Sequence, residues 1–279
     1  MTSLMIQGTS SGAGKTILTA ALCRIFSDKG FSVAPFKSQN MSNFSYHGRG
    51  FEISRAQAVQ AVAARCQISP DLNPILLKPL GNYYSTVFLN GKKFKKMHAS
   101  EYYDTFVRTD GMKLALESFY RLEKQHDMII LEGAGSPAEI NLTKYDIANI
   151  KLAKRVKSNV LLISDIDRGG SFASIVGTLA LLDSKAQDLV KGFVINKFRG
   201  DLNILKPGLK KLEKITKKPV LGVIPMTEIT LPEEDSLGMG MRKFTWSESG
   251  FKTINREVAK IARLVEQNLN IGEILELAK

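Results

Sequence analysis

A short apolar run, Ser3-Leu4-Met5-Ile6, leads into Gln7-Gly8-Thr9-Ser10-Ser11-Gly12-Ala13-Gly14-Lys15-Thr16, and apolar residues at helical spacing follow over 17–27. Strand, glycine-rich loop and helix in that order are the local frame of a phosphate-binding loop. A chain that carries this frame is committed to an α/β sheet built around it. The glycines let backbone N–H groups curl round an anion, and the new helix adds its positive end. Lys15 is placed to reach the outer phosphates, and the Thr16 hydroxyl to bind Mg²⁺. The spacing departs from the plain form: Thr9 stands where the motif's first glycine usually falls, and Gly8 lies one residue earlier. A bare turn between strand and helix would need neither the lysine nor the threonine.

The rest of the chain repeats the theme of polar residues at strand ends. Residues 31–36 read as a second strand, followed by Lys37-Ser38-Gln39-Asn40-Met41-Ser42. In an open parallel sheet ligands meet the carboxyl ends of strands. Lys37 is therefore expected to face the phosphate crevice, where a cation steadies a phosphoryl group in transfer; the alternative is a plain surface lysine. Residues 51–65 read as a helix with Glu52 in its first turn, a position that suits the helix dipole and brings Mg²⁺ within reach. Asn73-Pro74 stops that pattern. Residues 75–79 are extended, and 84–89 alternate before Asn90-Gly91, a hairpin signal. This stretch reads as a small hairpin insertion near the site, with Lys92-Lys93-Phe94-Lys95-Lys96 as a solvated turn. Residues 100–125 make a long amphipathic helix with Ser100 as its N-cap.

Met128-Ile129-Ile130-Leu131 is a buried strand ending in Glu132-Gly133-Ala134-Gly135-Ser136-Pro137. A charge straight after four apolar residues is costly unless it is used, and this carboxylate is in place for Mg²⁺ or its waters. Helical patterns then run over 146–156, 172–182 and 205–216, and strands over 160–164, 192–195 and 220–224. Two of these strands end in Asp165-Ile166-Asp167-Arg168-Gly169-Gly170 and Asn196-Lys197-Phe198-Arg199-Gly200-Asp201. The rhythm predicts an α/β fold with a doubly wound, mostly parallel sheet. Residues 231–251 read as a loop or linker, 254–269 as an amphipathic helix and 272–278 as a last short helix. The expected division is a nucleotide-binding domain over 1–236, with a linker and C-terminal helices over 237–279 packed on it.

Composition excludes several classes. The 39 Lys and Arg exceed the 27 Asp and Glu, a formal charge of +12, but the basic residues are scattered and no aromatic–basic recognition motif is present, so no nucleic-acid partner is expected. A positive surface would still draw in a polyanionic nucleotide or a polycarboxylate. Cys23 and Cys66 have no metal-ligand spacing and read as small buried hydrophobes of a reducing compartment. His47, His98 and His126 form no motif. No apolar run approaches membrane-spanning length and no leader precedes the first strand, which predicts a cytoplasmic location and no membrane partner.

The sequence resembles the cobyric acid synthases, ATP-dependent enzymes of corrinoid (cobalamin) biosynthesis. The resemblance rests on GTSSGAGKT, APFKSQNMS, EISRAQAVQA, NPILLKP, LEGAGSPAEINL, SDIDRGG, NKFRGD and LPEEDS in that order, up to about Ser236. The cobyrinic acid a,c-diamide synthases and dethiobiotin synthetase look similar more distantly. The resemblance implies a phosphate-loop NTPase fold of the dethiobiotin synthetase-like type. It implies amidation of corrin-ring carboxylates through an acyl phosphate, with ATP and Mg²⁺ as cofactors. Lys15 and Lys37 would be catalytic. Gly12, Ala13, Gly14, Lys15, Thr16 and Ile17 would bind the nucleotide, and Asn196 would read its adenine. Thr16, Glu52 and Glu132 would hold Mg²⁺, although an aspartate serves at the Glu52 position in dethiobiotin synthetase.

Cobyric acid synthases carry a C-terminal glutaminase domain, and no counterpart follows here; neither cysteine sits in a Cys-Gly-Gly context. The expectation is a chain that does not hydrolyse glutamine; it takes ammonia free, takes it from a separate glutaminase subunit, or is a truncated form of the longer enzyme. The partner set is then a corrinoid small molecule and that subunit, with room for a homodimer. Two other readings remain: an ATP-dependent ligase acting on another small carboxylic acid, and a partition-type ATPase switch. The second would need a signature lysine where Ser10 stands and a basic apolar face on the last helices.

Overall fold

The computed structural model describes residues 2–231 and 245–279. The phosphate loop connects β1 (Thr2–Gly8) to helix α1 (Lys15–Asp28), and the chain returns along β2 (Val33–Phe36). An insertion follows, made of β3 (Gln39–Met41), β4 (Ser45–Gly48), β5 (Phe51–Ser54), helix α2 (Arg55–Ala64), β6 (Ile75–Gly81), β7 (Tyr84–Leu89) and β8 (Lys92–His98). A helical rod of α3 (Ala99–Glu101), a π-helical segment (Tyr102–Gly111) and α4 (Met112–Glu123) leads to β9 (Met128–Glu132). Helix and strand then alternate: α5 (Ile150–Val156), β10 (Asn159–Asp165), α6 (Ser171–Leu181), α7 (Ser184–Leu189), β11 (Val190–Phe198), α8 (Leu202–Thr216) and β12 (Val220–Pro225). Helices α9 (Glu248–Asn268) and α10 (Ile271–Ala278) complete the described residues.

The central sheet has six parallel strands in the order β12-β11-β10-β1-β9-β2. Its strands are near-continuous apolar runs because both faces are covered. The two-residue period divides each run. Leu4, Ile6, Ile130 and Leu161 pack with α1, α9 and α10 on one face. Met5, Ile129, Leu162 and Phe193 pack with α4, α5, α6 and α8 on the other. The fold is thus the expected α/β, doubly wound architecture with a parallel sheet. The strand order reverses direction about β1: the chain moves outward to β2, comes back to β9, then crosses to β10 on the far side of β1. That reversal opens a crevice at the carboxyl end of β1, where the phosphate loop sits.

The insertion is larger than the small hairpin expected. β3, β6, β7 and β8 form a second, four-stranded sheet, and β4 and β5 pair as a separate hairpin. The 51–65 region is not one helix. Residues 51–54 are strand, and Ser54 caps α2 by accepting the Ala56 N–H, so Glu52 lies on a strand three residues before the first helical turn. The lysines of 92–96 lie on β8 rather than in a turn, all four exposed on an edge strand, where such charges discourage pairing with another chain. His98, not Ser100, caps the rod, its ring accepting the Ser100 N–H. The helix expected from 146 begins at Ile150, because the Asp146 carboxylate accepts the N–H groups of Ala148, Asn149 and Lys151. Of the expected linker, residues 232–244 and the boundary at 236–237 lie outside the described residues; α9 starts within it, at Glu248.

Candidate active site

The phosphate loop is shaped by two left-handed glycines, Gly12 (φ 73°) and Gly14 (φ 105°). At Gly14 any side chain would collide: a Cβ there would stand 2.2 Å from Asn196 Nδ2. Gly14 is also the N-cap of α1 and brings no side chain to the helix's first N–H groups, which leaves them for an anion. Neighbouring strand ends hold the loop in place. Thr9 Oγ1 donates to Ser164 Oγ at 3.0 Å, Asn196 Nδ2 to the Ala13 carbonyl at 2.8 Å, and Lys197 Nζ to the Gly12 carbonyl at 2.8 Å and to Asp165 Oδ2 at 2.7 Å. Lys15 lies back across the loop, donating to the carbonyls of Ser10 (3.1 Å) and Gly135 (2.9 Å).

Beneath the loop, three elements converge on one carboxylate. Glu132, at the end of β9, is 1% exposed. Its Oε1 accepts from Thr16 Oγ1 and from Lys37 Nζ, both at 2.8 Å; its Oε2 accepts from Gln60 Nε2 at 2.5 Å. Three buried polar side chains, Lys37, Gln60 and Glu132, and the half-buried Thr16 have thus been drawn together where an apolar core would cost less. The sequence explains how each arrives. Glu132 closes β9 and Lys37 directly follows the neighbouring parallel strand β2. Gln60 comes from α2, an alanine-rich helix that can approach closely. The Lys37 backbone is pinned in turn: its N–H donates to the Leu72 carbonyl at 2.9 Å, and Asn73 Nδ2 donates to the Lys37 carbonyl at 3.0 Å. Asn73 Oδ1 also accepts the Ser54 N–H, and Asn40 Nδ2 donates to Ser54 Oγ and Gln57 Oε1. That buried network ties the insertion to the site. Gly133 follows Glu132 because a Cβ there would lie 2.3 Å from Asn149 Oδ1. The Asn149 amide clamps the turn, accepting the Ala134 N–H and donating to the Ala134 carbonyl.

A cavity of about 780 Å³ opens over this cluster, walled among others by Gly12, Lys15, Thr16, Lys37, Gln60 and Glu132. That volume lies in the range of small-molecule sites. A small apolar slot of about 90 Å³ lies beyond Gly14 and Asn196, closed by Ile224, Pro225, Ile261 and Leu264. Ile17 lines both.

Of the predicted residues, the structure gathers Gly12, Ala13, Gly14, Lys15, Thr16, Ile17, Lys37, Glu132 and Asn196 around one crevice. It does not bring Glu52 there. Glu52 sits on the β4–β5 hairpin, where its carboxylate accepts from Lys78 Nζ and Ser45 Oγ, with His47 Nε2 at 3.5 Å. Burial alone would raise its pKa, but the hydrogen bonds from Lys78 and Ser45 hold it below the usual carboxylate range. Sequence reasoning missed Gln60, Asn73 and Lys197. The signal for Gln60 was a pair of amides, Gln57 and Gln60, one turn apart in an otherwise small apolar helix.

A divalent cation fits this donor set. Thr16 Oγ1 and Glu132 Oε1 are adjacent hard oxygen donors, and the buried Oε1 of Gln60 beside them has no hydrogen-bond partner. Among the described residues no group of three His, Cys, Asp or Glu side chains could hold a metal. One hydroxyl and one carboxylate, completed by waters and phosphate oxygens, suit Mg²⁺. Both cysteines are free; burial pushes the Cys23 thiol well up and the Cys66 thiol up to about 12.

Residues 4–237 match the family model of the CobQ/CobB/MinD/ParA nucleotide binding domain. The chain is 54% identical over 235 residues to a protein named probable cobyric acid synthase from Thermococcus kodakarensis, covering 84% of this chain and 48% of that protein. It is 54% identical over 233 residues to cobyric acid synthase of Caldanaerobacter subterraneus (83% and 46%), and 46% identical over 266 residues to the probable cobyric acid synthase of Methanocaldococcus jannaschii (94% and 54%). The chain therefore spans about half the length of the curated relatives it matches. Among solved structures, the MinD cell division protein of Aquifex aeolicus superposes with a TM-score of 0.48 at 12% identity, covering 96% of this chain and 97% of that one.

Proposed function

We propose, for a chain that belongs to the CobQ/CobB/MinD/ParA nucleotide-binding domain family, that it is the synthetase of cobyric acid formation, amidating corrinoid side-chain carboxylates at the expense of ATP. The observation that carries the reading is the cluster of Thr16 with the buried Lys37, Glu132 and Gln60 directly under the phosphate loop. The names of the cobyric acid synthase relatives support the substrate class.

Carboxylates are poor electrophiles, so the first step makes a leaving group. A carboxylate oxygen of the substrate attacks the γ-phosphorus, the bond to the β–γ bridging oxygen breaks, and ADP departs with that electron pair. Ammonia then attacks the acyl carbon, phosphate leaves with the C–O electron pair, and a proton passes to solvent. Little covalent work falls to the protein; positioning and charge neutralisation carry catalysis. Loop N–H groups and Lys15 would hold the β- and γ-phosphates, Lys15 leaving its Ser10 and Gly135 carbonyls to do so. Lys37, fixed by Asn73 and Glu132, would face the phosphoryl group in transfer. Asn196, its Nδ2 engaged by Ala13, would offer Oδ1 to the adenine amino group, with the base in the apolar slot. Thr16 and Glu132 would hold Mg²⁺, which when bound neutralises charge on the phosphates.

Glutaminase chemistry needs a thiolate, and both thiols are held neutral by burial. The proposal is that this chain takes ammonia free or from a separate glutaminase. Among the described residues no helix is long and apolar enough to cross a membrane. The test is an ATPase and amidation assay with cobyrinic acid a,c-diamide, comparing ammonium with glutamine. Turnover with ammonium and none with glutamine alone is expected. Glutamine-dependent amide formation that disappears in a Cys23→Ser, Cys66→Ser variant would overturn the nitrogen assignment. No corrinoid-dependent ATP turnover with either nitrogen source would overturn the substrate.

A further inference from the structure

A second cavity of about 630 Å³ adjoins the first and shares Ser11, Gln39, Met41, Ala134 and Gly135 with it. Its walls are the loop between β9 and α5 with the start of α5, and the turn from α6 to α7 at Leu181–Asp183, with Tyr103 of the π-helical segment reaching in. We propose that this cavity seats an edge of the corrin ring, so that a carboxylate on that edge passes between Gln39 and Gly135 to the phosphoryl group held beside Lys37. The inference rests on the corrinoid reading above and adds the place where that substrate binds.

Its surfaces suit a flat apolar body that carries carboxylates. The rings of Tyr103 and Tyr145 stand 5.2 Å apart, tilted by 44°. Met41 and Ile140 are 49% and 61% exposed, apolar surface on a firm frame. Tyr102 Oη fixes one wall by donating to Gln39 Oε1 at 2.6 Å, and Tyr145 Oη fixes the other by donating to Asp104. The π-helical winding over ten residues is rare, and it puts adjacent tyrosines to different uses: Tyr102 is buried against the second sheet, and Tyr103 reaches the cavity.

The acidic groups here are already committed. Glu139 Oε1 accepts the Ser136 N–H at 3.1 Å, Asp146 accepts three backbone N–H groups, and Asp183 takes Lys154. Two lysines are not committed to an acid. Lys151 Nζ donates to the Lys144 carbonyl at 3.1 Å, and Lys144 Nζ lies 4.5 Å from the centroid of Tyr145; neither has a carboxylate partner among the described residues. They flank the aromatic wall where the ring's outer carboxylates would lie. The cavity takes only part of a macrocycle, so amidation at a second edge would require the ring to reseat.

The test is calorimetric titration of the whole chain with cobyrinic acid a,c-diamide, in the presence of Mg²⁺ and a non-hydrolysable ATP analogue. Tyr103→Leu and Lys151→Met should each weaken corrinoid binding by about tenfold or more, the scale of a lost charged contact. Affinity for the ATP analogue should stay within about twofold. Lys93→Met on β8, which lines neither cavity, should bind as wild type. Should Tyr103→Leu not fold, Lys151→Met carries the test, and hydrogen exchange over residues 137–151 reads the same surface: corrinoid should slow it and the ATP analogue alone should not. Wild-type binding that neither variant weakens, with no protection over 137–151, would overturn this placement and leave the corrinoid reading standing. A wild-type chain that binds ATP and no corrinoid would bring both down.

Discussion

Two lysine–glutamate pairs have opposite characters. Lys37–Glu132 joins the ends of two parallel strands, with side chains 6% and 0% exposed, and a hydroxyl and an amide share the carboxylate. Lys78–Glu52 joins β6 to a surface hairpin, with side chains 22% and 12% exposed. Both carboxylates were expected to hold the metal. Residue type does not separate them; convergence does. At Glu132 the parallel sheet brings β2, β9 and α2 to one point and excludes water, so each polar group is either used or costly. At Glu52 the pair ties the β4–β5 hairpin to the second sheet near solvent, where an ion pair contributes little.

The largest expected effect is at the phosphate loop. Lys15→Ala should lower ATP-dependent kcat/KM by about a thousandfold or more, because preorganised contacts to developing charge are worth several kcal/mol, while circular dichroism and Tm stay near wild type. Turnover within about tenfold of wild type would remove the loop from the mechanism. Next comes Glu132→Gln, which keeps shape and leaves Lys37 buried without its counter-charge. Activity should fall steeply, the Mg²⁺ needed for half-maximal rate should rise, and denaturant unfolding should show a loss of about 3 kcal/mol. An unchanged Mg²⁺ titration would make Glu132 a structural residue like Glu52.

Glu52→Gln should then change kcat/KM and the Mg²⁺ requirement by less than about threefold, as expected for a group outside the crevice. Its signature is in pH. The folded pKa is lowered by Lys78 and Ser45, so its contribution is complete above the ordinary glutamate range and is lost as pH falls through the lowered value. The Tm gap between wild type and Glu52→Gln should be present at pH 7 and close toward the acid end; a gap that grows with acid would reverse the assignment. The smallest effect belongs to the cysteines. With Cys66 pushed up to about 12 and Cys23 higher than usual, Cys23→Ser, Cys66→Ser should leave ammonium-dependent turnover within about twofold, and iodoacetamide at pH 8 should label neither thiol in the folded chain.

The fold class and most of the crevice were legible in the residue order, because both rest on local rules. A strand, a glycine loop and a helix are set by backbone geometry over some fifteen residues, and parallel βα alternation places every strand's carboxyl end on the same edge. Gly12, Gly14, Lys15, Thr16, Lys37 and Glu132 could be assigned to one side of the sheet without knowing the strand order. Where local signals overlapped, the reading failed. Residues 51–65 have helical composition throughout, yet 51–54 pair with β4 because Ser54 caps a helix that starts one residue later. The lysines of 92–96 sit on an edge strand because pairing with β7, not polarity, decides their backbone. Gln60, Asn73 and Lys197 escaped notice for a further reason: each reaches its partner across more than 30 residues, to Glu132, Lys37 and Gly12 respectively. Residue order fixes which groups lie at strand ends. Which of them share a carboxylate, and which meet solvent instead, depends on the packing of α2 and the insertion against the sheet, a long-range choice that no local pattern encodes.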